Sequence, residues 1–179
     1  MSPDELFKQL YERYVDEVYA FCVRRVGRAD ADDAIADVFA VVWRRLSESM
    51  PEPSRSWIYG IARNVVRNRW RSSRRSERLA GRVRGLRHEQ PDQPESVVLG
   101  RSEGEPVRKA LGRLRRTDRE ILMLSAWDGL SGPEIADVLG ITPNAVQQRM
   151  HRAKKRLARE MERSRTSLAG GMATEEGPA

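Results

Sequence analysis

The sequence predicts an all-α protein made of two small helical domains joined by a flexible linker. Three observations support this fold class. Apolar residues recur every three or four positions in both parts of the chain, as they do on the buried side of a helix. Helix-start signals precede these stretches. No stretch shows the alternation of apolar and polar residues that is typical of a half-buried strand.

The first predicted helix begins at Ser2-Pro3-Asp4-Glu5, a capping box with proline at the first helical position. It continues to about Val26, and Gly27 ends it. Asp30 is expected to cap a second helix, in which further aspartates of the first turn face the positive end of the helix dipole. This helix ends near Leu46.

A loop and a third helix complete the predicted N-terminal domain. Residues 47–56 contain two prolines and are expected to form the loop. The third helix is predicted from about Ser56 to Arg75. The residues expected to be buried in the three helices are Leu6, Leu10, Tyr14, Val18, Phe21, Ala31, Ile35, Val38, Val42, Leu46, Trp57, Ile58, Ile61, Val65 and Val66.

The composition changes after residue 75, and this change predicts the domain limits. Residues 76–104 contain four glycines and show little periodicity, so they are interpreted as the linker. Helical signals return over 105–162, with capping boxes at Thr117 and Ser131 and a cap at Thr142-Pro143. The tail, 163–179, lacks a core pattern and is predicted to be disordered.

Charge indicates which partners the protein has. The chain carries 33 Lys and Arg against 26 Asp and Glu, a net charge of +7, which favours an anionic partner such as nucleic acid. Residues 63–87 hold ten arginines, whereas residues 30–37 hold four aspartates, so more than one charged partner is expected. No apolar run approaches the roughly 18 residues of a membrane span, which predicts no membrane insertion and a cytoplasmic protein.

Residues 130–157, LSGPEIADVLGITPNAVQQRMHRAKKRL, predict a helix-turn-helix. Gly140 lies at the tight turn, and Val146, Met150, Ala153 and Leu157 form the inner side of the second helix. Glutamine can bond an adenine edge twice, while arginine and lysine suit phosphates. The alternative is an ordinary helical hairpin with a solvated basic side. The predicted outer face consists of Asn144, Gln147, Gln148, His151, Arg152, Lys154 and Lys155.

The preceding residues must decide between two kinds of DNA-binding protein, because response regulators of the LuxR type end in a very similar module. A response regulator would carry a strand-rich receiver domain, and this chain shows no strand pattern. Instead, Asp30, Asp33 and Asp37 share one side of the second helix. This side suits a basic partner surface; the alternative is a solvated face stabilised by the helix dipole.

Three segments precede the helix-turn-helix in a characteristic order: LYERYVDEVYAFCVRRVG, ADDAIADVFAVVWRRL and SRSWIYGIARNVVRNRWRSSRR. Together with it they resemble the extracytoplasmic-function (ECF) group of bacterial sigma-70 family factors over about 150 residues. The resemblance implies a factor that binds core RNA polymerase and directs transcription from promoters with −10 and −35 elements. The alternative is a helix-turn-helix regulator that acts without polymerase.

The resemblance also implies roles for individual residues. The acidic helix resembles the segment that docks on the clamp of the largest polymerase subunit, with Asp33, Asp37 and Phe39 matching its pattern. The third helix resembles the segment that melts and reads the −10 element. There Asn64 matches a residue that contacts a base, and phosphate contacts are expected from Arg63, Arg67, Arg69 and Arg71.

Other roles remain open at this stage. Trp70 either stacks on an unpaired base or covers the end of a helix. In the C-terminal module Gln147, Gln148 and His151 fall where the family has its −35 readers, beside Asn144, Arg152 and Lys155. No cofactor, no metal site and no enzymatic activity is predicted, because the two His and one Cys form no catalytic or ligand spacing. An anti-sigma factor is a further candidate partner, since members of this family are often held inactive by one.

Overall fold

A computed structural model describes residues 2–49, 53–83 and 104–171. All regular secondary structure in these residues is α-helical, which confirms the predicted fold class. The part of the predicted linker from 84 to 103 and the tail beyond 171 lie outside the described residues. The helices are α1 Pro3–Val26, α2 Arg28–Ser49, α3 Arg55–Val83, α4 Glu105–Gly112, α5 Arg116–Ala126, α6 Gly132–Leu139 and α7 Pro143–Gly171.

The chain divides into two compact units, as its composition suggests. The first contains α1, α2, α3 and the short segment Asp137–Gly140, and the second contains α4, α5, α7 and the N-terminal part of α6. The exact limits of the domains and the linker stay predictions. None of the helices in the described part of the chain combines the length and apolarity that a membrane crossing requires.

The first unit begins at the predicted capping box. The Ser2 hydroxyl accepts the Glu5 N–H at 3.2 Å, and the Glu5 carboxylate accepts the Ser2 N–H at 2.9 Å. Gly27 then reverses the chain with φ 83°, a conformation that glycine adopts without strain. Helix α2 starts directly after it at Arg28, so the predicted cap at Asp30 is wrong and Asp30 lies within the first turn.

The core of the first unit confirms the predicted apolar stripes. Tyr59 and Phe21 meet edge to face with ring centroids 5.4 Å apart. Ile35, Trp57 and Val65 differ from the prediction, because each remains partly exposed. Cys22, the only cysteine of the chain, is fully buried in this core. Leu6, Leu10, Tyr14, Val18, Phe21, Ala31, Val38, Val42, Leu46, Ile58, Ile61 and Val66 are the predicted residues that are buried.

Three helices extend beyond their predicted ends. Helix α2 continues to Ser49, past Leu46 and into the predicted loop 47–56, of which residues 50–52 lie outside the described residues. Helix α3 continues to Val83, past the predicted end at Arg75, and α7 continues to Gly171, past residue 162. Apolar periodicity stops near the predicted ends. The following residues include arginine, leucine and alanine, which favour a helix even without an apolar repeat. The prediction therefore found the end of the apolar repeat and not the end of the helix.

The second unit contains one wrong helix start and two correct ones. Helix α5 starts at Arg116 after an extended Arg115 and has no side-chain cap, so the predicted capping box at Thr117 is wrong. The reason is tertiary, because Leu114, 5 % exposed, anchors the chain reversal before that helix. At α6 the Ser131 N–H donates to the Glu134 carboxylate at 2.8 Å, which fits the predicted capping box.

The turn of the helix-turn-helix depends on Gly140, whose φ is 65°. We expect Gly140→Ala to lower the free energy of unfolding by about 1–2 kcal/mol, because a Cβ strains this left-handed backbone although nothing lies within 4 Å of it. Gly60→Ala is the matched control. Gly60 has equally open surroundings inside α3, so its replacement should stabilise the protein by about 0.5–1 kcal/mol. Thermal unfolding checks both; equal effects would contradict the strain argument.

Candidate nucleic-acid interface and docking face

The first candidate nucleic-acid surface is the outer face of α7. The predicted base-reading residues Asn144, Gln147, Gln148 and His151 are all exposed, as are Arg152 and Lys155. Along the inner side of the helix, Val146 and Ala153 are buried, and Met150 and Leu157 are partly buried. The structure thus separates an apolar inner side from a polar and basic outer side, as the periodicity predicts.

The start of α7 is fixed by its own residues. The Thr142 hydroxyl accepts the Ala145 N–H at 3.2 Å, which confirms the predicted cap. One turn further on, Arg152 donates to the Gln148 amide oxygen at 3.3 Å. This contact orders the Gln148 side chain on the exposed face. The face therefore offers amide groups near the helix start and cations beyond them.

Helix α7 is anchored to the rest of its unit by apolar contacts and ion pairs. Met150 and Leu157 pack against a buried cluster that includes Leu111, Leu122 and Ala153. Arg113 contacts Glu160 at 3.0 Å, and Arg156 contacts Asp118 at 3.8 Å. Both recorded ion pairs to the rest of the unit lie at Arg156 or beyond, so in the described part of the chain residues 143–155 of α7 have no recorded ion pair to another helix.

In α5, burial lowers the pKa of Arg119, and the nearby charge of Arg116 lowers it further.

The second candidate nucleic-acid surface is one side of α3. Asn64 and Arg71 are exposed, and Arg63 and Arg67 are partly exposed. At about 100° per residue, Arg67 and Arg71 lie within roughly 60° of Asn64 around the helix axis. Arg63 lies at the edge of this face, about 100° from Asn64. These four predicted residues thus share one half of the helix surface.

Two exposed residues of the same face escaped the sequence prediction. Asn68 and Arg75 are exposed and follow Asn64 and Arg71 by four positions each. Residues four positions apart are neighbours on a helix surface. The spacing of Asn64, Asn68, Arg71 and Arg75 was therefore a readable signal.

Arg69 does not lie on this face. It is five positions from Asn64, which places it about 140° away around the helix, toward α2. Its Nε donates to Asp37 Oδ2 at 2.9 Å, and its Nη2 donates to the same oxygen. Arg69 therefore lies apart from Arg63, Arg67 and Arg71, the arginines with which the sequence analysis grouped it. The cause is that its position continues the buried stripe of α3, where Ile58, Ala62 and Val66 contact the core.

Trp70 is partly buried, and its ring nitrogen is already used. The indole N–H donates to the Arg25 carbonyl at 3.1 Å, near the C-terminal end of α1. Carbonyls in the last turn of a helix have no partner within the helix. The contact supports the interpretation of Trp70 as a cover for a helix end. Base stacking by Trp70 stays a prediction.

The acidic side of α2 presents Asp33 and Asp37, which are both exposed. Phe39 differs from the prediction, because it is only 4 % exposed. Its ring meets Tyr11 edge-on with centroids 4.8 Å apart, in the contact between α1 and α2. Phe39 therefore packs between α1 and α2, and little of its surface is exposed.

The relatives of this chain agree with the geometry of both units. The family model described as sigma-70 region 2 matches residues 10–76, and the model described as sigma-70 region 4 matches residues 104–157. The sigma factor CnrH of Cupriavidus metallidurans is 33% identical over 142 residues, which cover 74% of each chain. The chain belongs to the sigma-70 family. The resemblance that the sequence motifs indicate is thereby confirmed.

Further relatives refine the group and the fold. The ECF sigma factor BldN of Streptomyces coelicolor is 32% identical over 159 residues, covering 87% of this chain and 60% of BldN. A solved structure of CnrH with the cytosolic domain of CnrY has a TM-score of 0.61 and 26% identity, covering 89% of each chain. A structure of RpoE with the anti-sigma factor NepR from Bartonella quintana also has a TM-score of 0.61, at 23% identity, over 87% of this chain and 96% of RpoE. The relatives thus include ECF sigma factors, the group that the sequence motifs of this chain predict.

The family also answers the question of reaction class. Sigma factors are initiation factors and not enzymes, as the sequence predicts for this chain. Both units match the family, whereas the helix-turn-helix regulator would require only the second. The protein is therefore a factor for promoter-directed initiation, and the regulator alternative receives no support.

Proposed function

We propose that this sigma factor uses three surfaces: the acidic side of α2 binds core RNA polymerase, the Asn64 face of α3 opens and reads the −10 element, and the outer face of α7 reads the −35 element. One observation carries the proposal. The region 2 and region 4 matches fall on units that expose an acidic face and two basic, amide-bearing faces. The acidic face suits a basic partner surface, and the two basic faces suit DNA.

The proposed −35 reader is the N-terminal half of α7. Residues near the start of a recognition helix reach base edges in the major groove, so Asn144, Gln147, Gln148 and His151 are the candidates. Arg152 and Lys155 lie further along and suit phosphates of the same site. The support is that all six side chains are exposed on one helix whose inner side is packed.

The proposed −10 surface combines amides with several cations. Asn64 would contact a base that has left the stack, since an amide can donate and accept along a base edge. Arg63, Arg67 and Arg71 would bind the phosphates of the opened strand. Their common side on α3 supports this role. A second support is that residues 65–75 of this helix contain no carboxylate.

The proposed docking face presents Asp33 and Asp37 to a basic surface on the clamp of the largest polymerase subunit. Core polymerase then supplies catalysis, and the sigma factor supplies promoter choice. We place the protein in the cytoplasm, where bacterial polymerase and promoter DNA are found. The RpoE complex with NepR supports an anti-sigma factor as a further partner.

Transcription of fragmented bacterial DNA by core polymerase, with and without this protein, tests the function. We expect new RNA 5′ ends, each preceded at fixed spacing by two shared short motifs. A gel shift without polymerase is the companion measurement, and it should show weak or nonspecific DNA binding. Tight specific binding by the isolated chain, with no new 5′ ends, would instead support a regulator that acts alone.

A further inference from the structure

We propose that Arg69 is a positioning residue of the polymerase-docking face: it holds the Asp37 carboxylate on the surface of α2 and does not bind DNA. The inference rests on the proposed docking role of Asp33 and Asp37. It assigns to polymerase binding a residue of α3, the helix whose other side is proposed to contact the −10 element.

The contact between the two side chains is the first support. Arg69 Nε lies 2.9 Å from Asp37 Oδ2, and Nη2 donates to the same oxygen. Both donors therefore use one carboxylate oxygen, and Oδ1 keeps its acceptor capacity for a donor from outside. A paired guanidinium fixes the direction of a carboxylate more firmly than a single donor does.

Exposure is the second support. The Asp37 side chain is 55% exposed although it is paired, whereas the Arg69 side chain is 28% exposed. The carboxylate thus remains within reach of a partner, and most of the arginine is covered. A cation that supported a phosphate would need the opposite arrangement, with the guanidinium in solvent.

The position on α3 is the third support. Arg69 lies about 140° from Asn64, so the shared side of α3 that carries Asn64 and Arg71 faces away from it. To reach the same DNA strand, Arg69 would have to leave Asp37 and cross the helix surface. The two arginines of one short segment therefore serve different partners.

The size of the effect follows from the order that the pair imposes. Fixing a flexible side chain before association removes a cost of binding, which corresponds to roughly a three- to tenfold change in affinity. Arg69→Ala should weaken binding to core polymerase by about this factor. If Arg69 instead masked Asp37 from polymerase, Arg69→Ala would change the affinity in the opposite direction, because removing Arg69 would then tighten the complex.

The experiment measures the Kd for fluorescently labelled core polymerase and, separately, promoter opening at saturating polymerase. Arg71→Ala is the matched control, an exposed arginine of the same helix on the Asn64 side. We expect Arg69→Ala to raise the Kd and leave opening at saturation unchanged, and Arg71→Ala to do the reverse. Arg69→Lys, which keeps the charge beside Asp37, should recover most of the lost affinity.

A double-mutant cycle completes the test. The effects of Arg69→Ala and Asp37→Ala on the Kd should not add, because each removes the same contact. Tighter binding of Arg69→Ala, or an unchanged Kd with weaker opening, would overturn the proposal. A general loss of stability would raise the Kd and weaken promoter opening together, unlike the expected result. If Asp33 and Asp37 variants bind core polymerase like wild type, the proposed docking role of the acidic face is refuted. If those variants bind weakly and only Arg69 variants bind like wild type, the positioning role of Arg69 alone is refuted.

Discussion

Reversing the charge at the docking face, with Asp33→Arg and Asp37→Arg together, should weaken binding to core polymerase by about 100-fold, since charge pairs buried at an interface contribute several kcal/mol. Both carboxylates are exposed on α2, so the fold loses no buried contact when they change. The helical circular dichroism spectrum should stay the same. A competition assay against the housekeeping sigma factor for core polymerase gives the affinity directly.

A matched control separates docking from general charge effects. Asp16→Arg adds the same kind of change at an exposed aspartate of α1, and we expect almost wild-type core affinity. The double variant also loses the pair with Arg69, so its thermal unfolding midpoint should fall only slightly, by the small contribution of an exposed ion pair. Core affinity equal to wild type would remove Asp33 and Asp37 from the docking face.

Replacing both Gln147 and Gln148 with alanine should flatten the preference for the −35 sequence while core binding stays unchanged. A bidentate amide contact discriminates against a wrong base by about 1–3 kcal/mol, so discrimination should fall roughly ten- to 100-fold at the positions read. The two side chains are exposed and α7 keeps its cap at Thr142. Transcription from a library with a randomised −35 element measures the preference position by position.

The control for this experiment is Lys155→Ala, a change on the same face of α7. Loss of a phosphate contact should weaken all sequences about equally and reduce the salt dependence of binding by about one unit of log–log slope. If the Gln147 and Gln148 variant keeps the wild-type preferred sequence, reading belongs to Asn144 or His151, and the assignment along α7 must change.

Local signals in the sequence predicted most helix starts and most of the core. The caps at Ser2, Ser131 and Thr142 involve residues three positions apart, so their chemistry is visible in the sequence itself. The predicted starts at Asp30 and Thr117 were wrong because each helix begins directly after a chain reversal, at Gly27 or near Leu114, that lies closer to the N-terminus than the predicted cap. Such reversals depend on packing between helices, which a local pattern does not contain.

The candidate site was predictable in its composition and less so in its orientation. Motifs indicated the right helices, and exposure agrees for Asn64 and for the residues of α7. Sequence alone could not show that Phe39 faces the core, because an aromatic ring in an acidic helix suits both sides. It also could not show that Arg69 meets Asp37, since their contact joins residues 32 positions apart.

Because Cys22 is completely buried, the rate at which its thiol is alkylated reports the opening of the first unit. Only an exposed thiolate reacts with an alkylating reagent, so the buried side chain waits for α1, α2 and α3 to separate. Because the chain has no second cysteine, the alkylation rate depends on the opening of α1–α3 and does not depend on the opening of the other unit. A partner that binds the closed form of α1–α3 would slow that rate in proportion to its own affinity.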